Sequence, residues 1–158
     1  MKRILIIIAL VVIVVSSAII LVEASSTKNN STIVEVFFNN NKMDPEFSCN
    51  KVFPVERSVL KVDEPEREAL AELLNGPTQS ETMEGFFTSI NSGVKIKNIT
   101  IQGGTITVEF DERLEKGVGG SCWVSAIRNQ IIQTLKQFPG INNVIISIDG
   151  RTEDILQP

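Results

Sequence analysis

A run of about 19 apolar residues near the N-terminus, Ile4 to Val22, constrains this chain more than any other feature. At ~1.5 Å per residue, a helix of that length spans the ~30 Å hydrocarbon core of a bilayer. Lys2 and Arg3 precede the run and polar sequence follows it, which predicts a cytoplasmic N-terminus. We therefore expect residues 4–22 to cross the cell membrane once and to leave the rest of the chain on the extracytoplasmic side.

The same segment has a second interpretation as a secretory signal peptide. Small residues at Val22 and Ala24 offer a site for cleavage after Ala24, which would produce a secreted protein. The apolar run is longer than the roughly 7–15 residues usual for a signal sequence, which favours a retained anchor. We divide the chain into an anchor or signal peptide (1–24), a polar linker (25–31), a folded domain (32–150) and a C-terminal tail (151–158).

The composition excludes several classes of function. The chain contains no His, so Ser-His-Asp and Cys-His catalysis and His-ligated metals are excluded. Its two cysteines cannot complete a tetrahedral zinc site alone. The net charge is −4, and it becomes about −5 without residues 1–24, which carry two basic residues and one acid. Since such an acidic domain suits nucleic acid poorly, we expect no nucleic-acid partner. From the residue types present, we also expect no catalytic residue, no metal and no cofactor.

Periodicity in the first half of the domain predicts one strand and one helix. The β-branched and aromatic run Ile33–Phe38 is typical of a strand. Pro65 suits the first position of a helix, and Asn75-Gly76-Pro77 is typical of its end. Thr78 and Glu81 have capping-box spacing and predict a further short helical turn. Between strand and helix, residues 52–55 and 58–61 are expected only as short extended pieces.

The second half adds a hairpin, a helix and a strand. Apolar residues alternate on both sides of Gly103-Gly104, with a phase slip at Asn98 that suggests a bulge. Apolar residues then recur with helical period from Ser121 to Phe138, and residues 144–148 are typical of an interior strand. We therefore expect an α+β domain in the order β-α-β-β-α-β, with helices packed on one face of a small mixed sheet.

Several segments together resemble a GerMN domain, a sporulation and spore-germination domain of extracytoplasmic bacterial proteins. The resemblance covers roughly residues 33–150. It implies a small domain of the ring-building type, held outside the membrane and used for assembly rather than chemistry. The segments that carry it are VFF (36–38), FPVER (53–57), LLNGPT (73–78), FTSI (87–90), VEF (108–110), QTLKQFP (133–139) and VIISIDG (144–150).

The two cysteines, Cys49 and Cys122, are expected to form a disulfide. Both lie beyond the anchor, in a compartment where disulfides form, and only one pairing exists. The alternative is two free thiols, one of them buried as a small apolar residue. The segment from Gly120 to Trp123 also resembles the nucleophile segment of papain-like proteases, but that chemistry needs a His that the chain lacks.

Three further features have a functional and a structural interpretation. Gly117–Gly120 before a helix suggests an anion cradle, but it lacks the phosphate-loop spacing, and a flexible loop is favoured. Trp123 is either an exposed recognition residue or, as we expect, a packing residue. Four carboxylates could bind Ca²⁺ or act as acid and base, but a solvated surface is favoured; they are Glu109, Asp111, Glu112 and Glu115.

These observations support three hypotheses about function. The first is a membrane-tethered extracytoplasmic interaction module that binds envelope proteins or itself, supporting envelope assembly or a complex of the sporulation or germination type. The second is a module that binds cell-wall glycan or a small ligand, which exposed aromatics around a groove would favour. The third is an enzyme that uses carboxylates only, which would need two carboxyl groups in one cleft. We expect the first.

Overall fold

The structure is a computed structural model that describes residues 31–157, so residues 1–30 and Pro158 lie outside it. The expected membrane span (4–22), the cleavage site after Ala24 and nearly all of the linker (25–31) therefore fall outside the described residues. Within residues 31–157, none of the helices combines the length and the apolar character that crossing a bilayer requires.

Within residues 31–157, six strands form two sheets of three strands each. Their bounds are β1 Ser31–Asn40, β2 Phe53–Leu60, β3 Phe86–Phe87, β4 Ile96–Gln102, β5 Thr105–Phe110 and β6 Asn143–Ile148. The first sheet has the order β2-β1-β3, with β1 and β3 antiparallel. The second has the order β4-β5-β6, and its central strand β5 pairs antiparallel with β4 and parallel with β6.

The α+β class is confirmed, but the single sheet in the order β-α-β-β-α-β is wrong. Two strands account for the difference. The short extended pieces expected between residues 52 and 61 are one continuous strand, β2, at the edge of its sheet, where Pro54 removes no ladder hydrogen bond that a central strand would need. Strand β3 has only two residues, too few for any periodicity to show. Each joins β1 through long-range pairing that the sequence does not encode locally.

The hairpin β4–β5 forms at the predicted turn. Gln102 pairs with Thr105 across Gly103-Gly104, and both glycines have positive φ, which a side chain would disfavour. The pairing shifts register between Ile96 and Asn98, which confirms the bulge expected there. Because of this shift, apolar residues on both sides of the bulge lie opposite the buried residues of β5.

Three helices occupy the intervals between these strands: α1 Pro65–Asn75, α2 Gln79–Met83 and α3 Ser121–Lys136. Helix α1 begins at Pro65 and ends at Gly76 with φ 79°, as the sequence predicts. Thr78 and Glu81 form the predicted capping box of α2, with both reciprocal hydrogen bonds present. A short 3-10 turn, Glu112–Leu114, follows β5. Local signals therefore place both ends of α1 and the starts of α2 and α3 correctly, whereas α3 ends at Lys136, short of the expected Phe138.

The larger of two hydrophobic clusters within residues 31–157 joins the two sheets to α1 and α3, and the smaller one comprises Val34, Val59 and Ala69. The largest fully buried side chains of the larger cluster include Phe38, Leu70, Leu73, Ile106, Phe110, Ile127, Ile131 and Ile148. They come from β1, α1, β5, α3 and β6, so the two sheets share one interior. The described residues therefore form a single domain.

The end of the chain differs from expectation in two respects. Strand β6 lies at the edge of its sheet, so the prediction of an interior strand is wrong, although Ile146 and Ile148 are buried on its inner face. The tail expected after residue 150 packs closely, because Ile155 and Leu156 belong to the core. An apolar pair close to the end of the chain is thus part of the fold.

Arg57 on β2 and Glu81 on α2 form a half-buried ion pair that joins the first sheet to the capping box. Two guanidinium nitrogens of Arg57 donate to the two Glu81 carboxylate oxygens, at 2.5 and 2.6 Å. Burial works to raise the pKa of Glu81, but hydrogen bonds from Arg57 and from the Thr78 amide outweigh it and hold the pKa below the usual 4.5. The fold therefore favours the ionised carboxylate.

This geometry predicts acid sensitivity. Because the folded pKa lies below the unfolded one, the stabilisation is complete above a pH of about 4.5 and is lost as pH falls through the folded pKa. We expect Glu81→Gln to lower the free energy of unfolding at neutral pH by about 2 kcal/mol and to reduce its pH dependence in acid. Urea unfolding at several pH values measures both.

The matched control for this prediction is Glu84→Gln, one turn further along. Glu84 is exposed, and its carboxylate makes no hydrogen bond within residues 31–157. This change is expected to alter the free energy of unfolding by less than about 0.5 kcal/mol. A Glu81→Gln variant with the acid sensitivity of the unaltered chain would contradict the assignment.

Candidate functional site

A disulfide between Cys49 and Cys122 fastens the loop after β1 to the first turn of α3. The bonded residues are 73 positions apart in sequence, and their Cα atoms lie 4.9 Å apart. Within the loop, the Asp44 carboxylate accepts hydrogen bonds from the Ser48 hydroxyl and amide, which hold the pKa of Asp44 below its usual 3.8. Phe47 and Cys49 both have positive φ, so the loop is tightly folded. The disulfide thereby sets Phe47 beside the start of α3.

A cavity of about 630 Å³ lies beside the disulfide. We call it the aromatic groove. Three aromatic side chains line it, and the rings of Phe47 and Phe87 lie 5.6 Å apart. Its residues are Phe47, Phe87, Thr88, Ser89, Ile90, Asn91, Ser92, Gly119, Gly120, Cys122 and Trp123. None of these residues is charged, and the groove offers a mostly apolar surface of the size that ligand pockets have.

Trp123 stands on the rim of the aromatic groove. Its side chain is 41% exposed, more than the packing role expected from the sequence implies. The indole Nε1 donates a hydrogen bond to the Ser89 carbonyl at 2.7 Å, which fixes the ring against the opposite wall. An exposed ring that is already held in one orientation loses less conformational entropy on binding than a freely rotating ring does. Trp123 therefore presents an exposed ring in a fixed orientation at the groove rim.

Buried amides support the groove from beneath. Gln130 of α3 is fully buried; its Nε2 donates to Asn39 Oδ1 at 2.5 Å, and its Oε1 accepts from the Thr88 hydroxyl at 2.8 Å. The Ser89 hydroxyl also donates to Asn39 Oδ1, at 3.1 Å. The wall formed by Thr88 and Ser89 is thereby tied to both α3 and β1.

A second cavity of about 340 Å³, which we call the basic recess, adjoins the groove. Asn91, Ser92, Arg113 and Lys116 line it, and the first two of these also line the aromatic groove. Asn91 Nδ2 donates to the carbonyls of Arg113 and Lys116 at 2.7 and 2.9 Å. The Arg113 guanidinium donates to the Gly93 carbonyl at 2.9 Å. These bonds hold the backbone at residues 113 and 116 and the guanidinium of Arg113 beside the groove.

Neither cavity is built for the alternative chemistries. The Cys122 sulfur is bonded to Cys49 and so is not available as a nucleophile. No carboxylate lines either cavity, and within residues 31–157 no three His, Cys, Asp or Glu side chains converge as metal ligands. Of the four carboxylates singled out from the sequence, Glu115 bonds Arg151, and Asp111 accepts the Lys95 amide.

Sequence reasoning predicted the disulfide of this region but not the groove. It paired Cys49 with Cys122, it expected Trp123 to be a packing residue with recognition as the alternative, and it favoured a flexible loop for Gly117–Gly120. It assigned no role to Phe47, Arg113 or Lys116. Phe47 looks like any loop aromatic, and the two cations sit among acids in the sequence, so neither carries a local signal.

Comparison with known proteins agrees with the fold. The family described as sporulation and spore germination (Germane) matches residues 26–154, which confirms the resemblance drawn from the sequence. The tandem GerMN domains of the sporulation protein GerM from Bacillus subtilis have a TM-score of 0.63 at 19% identity; the match covers 82% of this chain and 42% of that one. This chain thus spans less than half of that tandem structure.

Two further solved structures are similar. The first GerMN domain of the same Bacillus subtilis protein has a TM-score of 0.56 at 20% identity, covering 77% of this chain and 85% of that one. A putative lipoprotein from Clostridium perfringens has a TM-score of 0.52 at 16% identity, covering 81% of each. At such identities the likeness shows the fold alone. No curated protein matches this sequence.

Proposed function

Because this chain belongs to the sporulation and spore germination family, we propose that it is an extracytoplasmic interaction module that supports the assembly of an envelope complex. In this proposal residues 4–22 tether it to the cell membrane and the polar linker 25–31 separates it from the bilayer. The module binds an envelope protein or a second copy of itself and catalyses no reaction.

The aromatic groove is the observation that carries this proposal. A fixed, 41% exposed Trp123 beside two further aromatic side chains is typical of the buried anchors at protein interfaces. The surrounding walls are held by a disulfide and by buried amide hydrogen bonds, so the surface is formed before a partner arrives. Preorganisation of this kind favours binding, because little is ordered at the moment of association.

The disulfide supports an extracytoplasmic location. Disulfides persist in oxidising compartments and are rare where thiols are kept reduced. A bond between Cys49 and Cys122 therefore fits a domain that lies outside the cytoplasm, as the charge pattern around residues 4–22 predicts.

The experiment that tests the proposal is site-specific photo-crosslinking of the full chain in its native cells. A photoreactive residue replaces Ser92 on the groove rim or, as the control, exposed Thr152 near the C-terminus. We expect mass spectrometry to find one defined envelope protein, or a second copy of this chain, attached at position 92 and not at position 152. Absence of any protein adduct at position 92 would contradict the proposal.

A second candidate function, binding of cell-wall glycan, is favoured by one observation. The exposed ring of Trp123 borders a groove, and aromatic faces offer sugars a large apolar contact area. Retention of the full chain on purified cell wall, lost in Trp123→Ala, would support this candidate. The two functions are separated by comparing this retention with the crosslinking result: a protein adduct at position 92 supports the interaction module, and retention on cell wall without such an adduct supports glycan binding.

A further inference from the structure

The aromatic groove and the basic recess are two parts of one surface. Asn91 and Ser92 line both cavities, so the recess adjoins the groove. Resting on the proposed function, we propose that this joint site binds a partner peptide that places a large apolar side chain beside a carboxylate. The apolar side chain occupies the groove, and the carboxylate lies between Arg113 and Lys116.

Charge selects the carboxylate. The domain is acidic overall, with about five more acids than bases after residue 24, yet the recess is lined by two cations and no acid. Within residues 31–157, neither Arg113 nor Lys116 forms an ion pair. In that range five other basic side chains form ion pairs and five more do not, so Arg113 and Lys116 are distinguished by lining one recess together; the paired ones are Lys51, Arg57, Arg67, Lys97 and Arg151. Two cations without a carboxylate partner form a site complementary to an anionic group.

The acid nearest to Lys116 in sequence does not fill this role. The Glu115 carboxylate is held by the Arg151 guanidinium and by the Leu156 amide. The Glu115 carboxylate therefore bonds the C-terminal segment and does not neutralise the recess. A carboxylate supplied by a partner is the group that completes the recess, and a guanidinium can bind it through two donors.

The hydrogen bonds of the groove favour a peptide side chain over a sugar. The Trp123 indole donates to the Ser89 carbonyl, the Asn91 amide donates to two carbonyls, and the Thr88 hydroxyl donates to Gln130. A sugar ring carries hydroxyls on its circumference, and here most of them would lose water without gaining a partner. An apolar side chain has no such groups to satisfy.

A selection from a random heptapeptide library tests the inference on the full chain in detergent micelles. We expect enrichment of peptides with Phe, Leu, Ile or Met within about two positions of Asp or Glu, since a strand-like residue spans ~3.3 Å. The variant Arg113→Gln/Lys116→Gln is expected to lose the preference for Asp and Glu and to keep the preference for apolar residues. The control variant Lys61→Gln/Lys136→Gln removes two exposed cations elsewhere and is expected to select the same peptides as the unaltered chain.

A titration then quantifies one enriched peptide that lacks Trp. Trp123 is the only Trp of the chain, so its emission reports directly on the groove. We expect Arg113→Gln/Lys116→Gln to raise the dissociation constant at least about tenfold, as for removal of a close charge pair. A peptide with Asn or Gln in place of its acid should bind both forms with equal affinity.

Three results would overturn the inference. They are enrichment of basic peptides, enrichment of no peptide above the level of Trp123→Ala, and an unchanged dissociation constant in the double variant. Retention on purified cell wall that depends on Trp123, with no peptide enriched, would assign the groove to glycan instead. The crosslinking experiment stays independent: an envelope protein attached at position 92 without acidic-peptide selection would leave the proposed function standing and remove only this inference.

Discussion

Replacing both cysteines, Cys49→Ser with Cys122→Ser, is expected to lower the free energy of unfolding by about 4 kcal/mol. The bond closes a loop across 73 positions of sequence, and in the chain-entropy model a loop of that size stabilises the fold by roughly this amount. The midpoint of thermal unfolding should fall by about 15 °C. Differential scanning calorimetry measures both quantities.

The same variant is expected to weaken the groove. Phe47 reaches the groove on the loop that the disulfide fastens to α3, so loss of the bond releases one wall. The emission of Trp123 should then shift to longer wavelength as water reaches its ring. The unaltered chain in reducing agent should behave in the same way, because reduction removes the same bond.

A matched control separates the bond from its surroundings. Asn50 and Ser121 are exposed and adjoin the two cysteines in sequence, so Asn50→Ser with Ser121→Ala perturbs the same turns. This control is expected to change the free energy of unfolding by less than about 0.5 kcal/mol. If the variant with both cysteines replaced by serine lost less than about 1 kcal/mol of the free energy of unfolding, the disulfide would contribute little to stability.

Gln130→Ala is the second large effect, with an expected loss of about 3 kcal/mol in the free energy of unfolding. The side chain is fully buried, so its truncation leaves a cavity. It also removes the hydrogen-bond partner of the Thr88 hydroxyl and one of the partners of Asn39, and buried groups left unpaired are costly. Urea unfolding followed by circular dichroism measures the loss.

The control for this change is Gln133→Ala, on the same helix. Gln133 is half-buried, and its side chain makes no hydrogen bond within residues 31–157. Since the two variants have the same helix propensity at similar interior positions, their difference isolates the buried amide network. An equal decrease in the free energy of unfolding in the two variants would contradict the assignment of Gln130 as a structural support of the groove wall.

Local signals in the sequence determined much of the fold. Pro65 and Gly76 bound α1, Thr78 and Glu81 cap α2, and Gly103-Gly104 turns the hairpin. Each is a property of a few adjacent residues: a fixed φ, an orphan amide paired by a side chain, or a glycine at positive φ. The pairing of Cys49 with Cys122 was also accessible, because two cysteines allow only one bond.

The pairing of the strands could not be predicted from local sequence signals. Strand β3 has two residues, and β2 was expected only as two pieces, yet both pair with β1. Which strand lies beside which depends on burial of whole faces, and residues far apart in sequence decide it. The expected single sheet failed for this reason.

The sequence by itself determined the family, both ends of α1 and the starts of α2 and α3, the hairpin with its bulge, and the chemistry that a chain without His cannot perform. Only the tertiary structure decided the two-sheet division, the burial of Ile155 and Leu156, and the joining of the aromatic groove to the basic recess. The linings of the groove and recess come from the loop after β1, the segment Phe87–Ser92, the turn after β5 and residues around the start of α3. None of these segments carries the whole lining, so the site exists only when the core brings the four together.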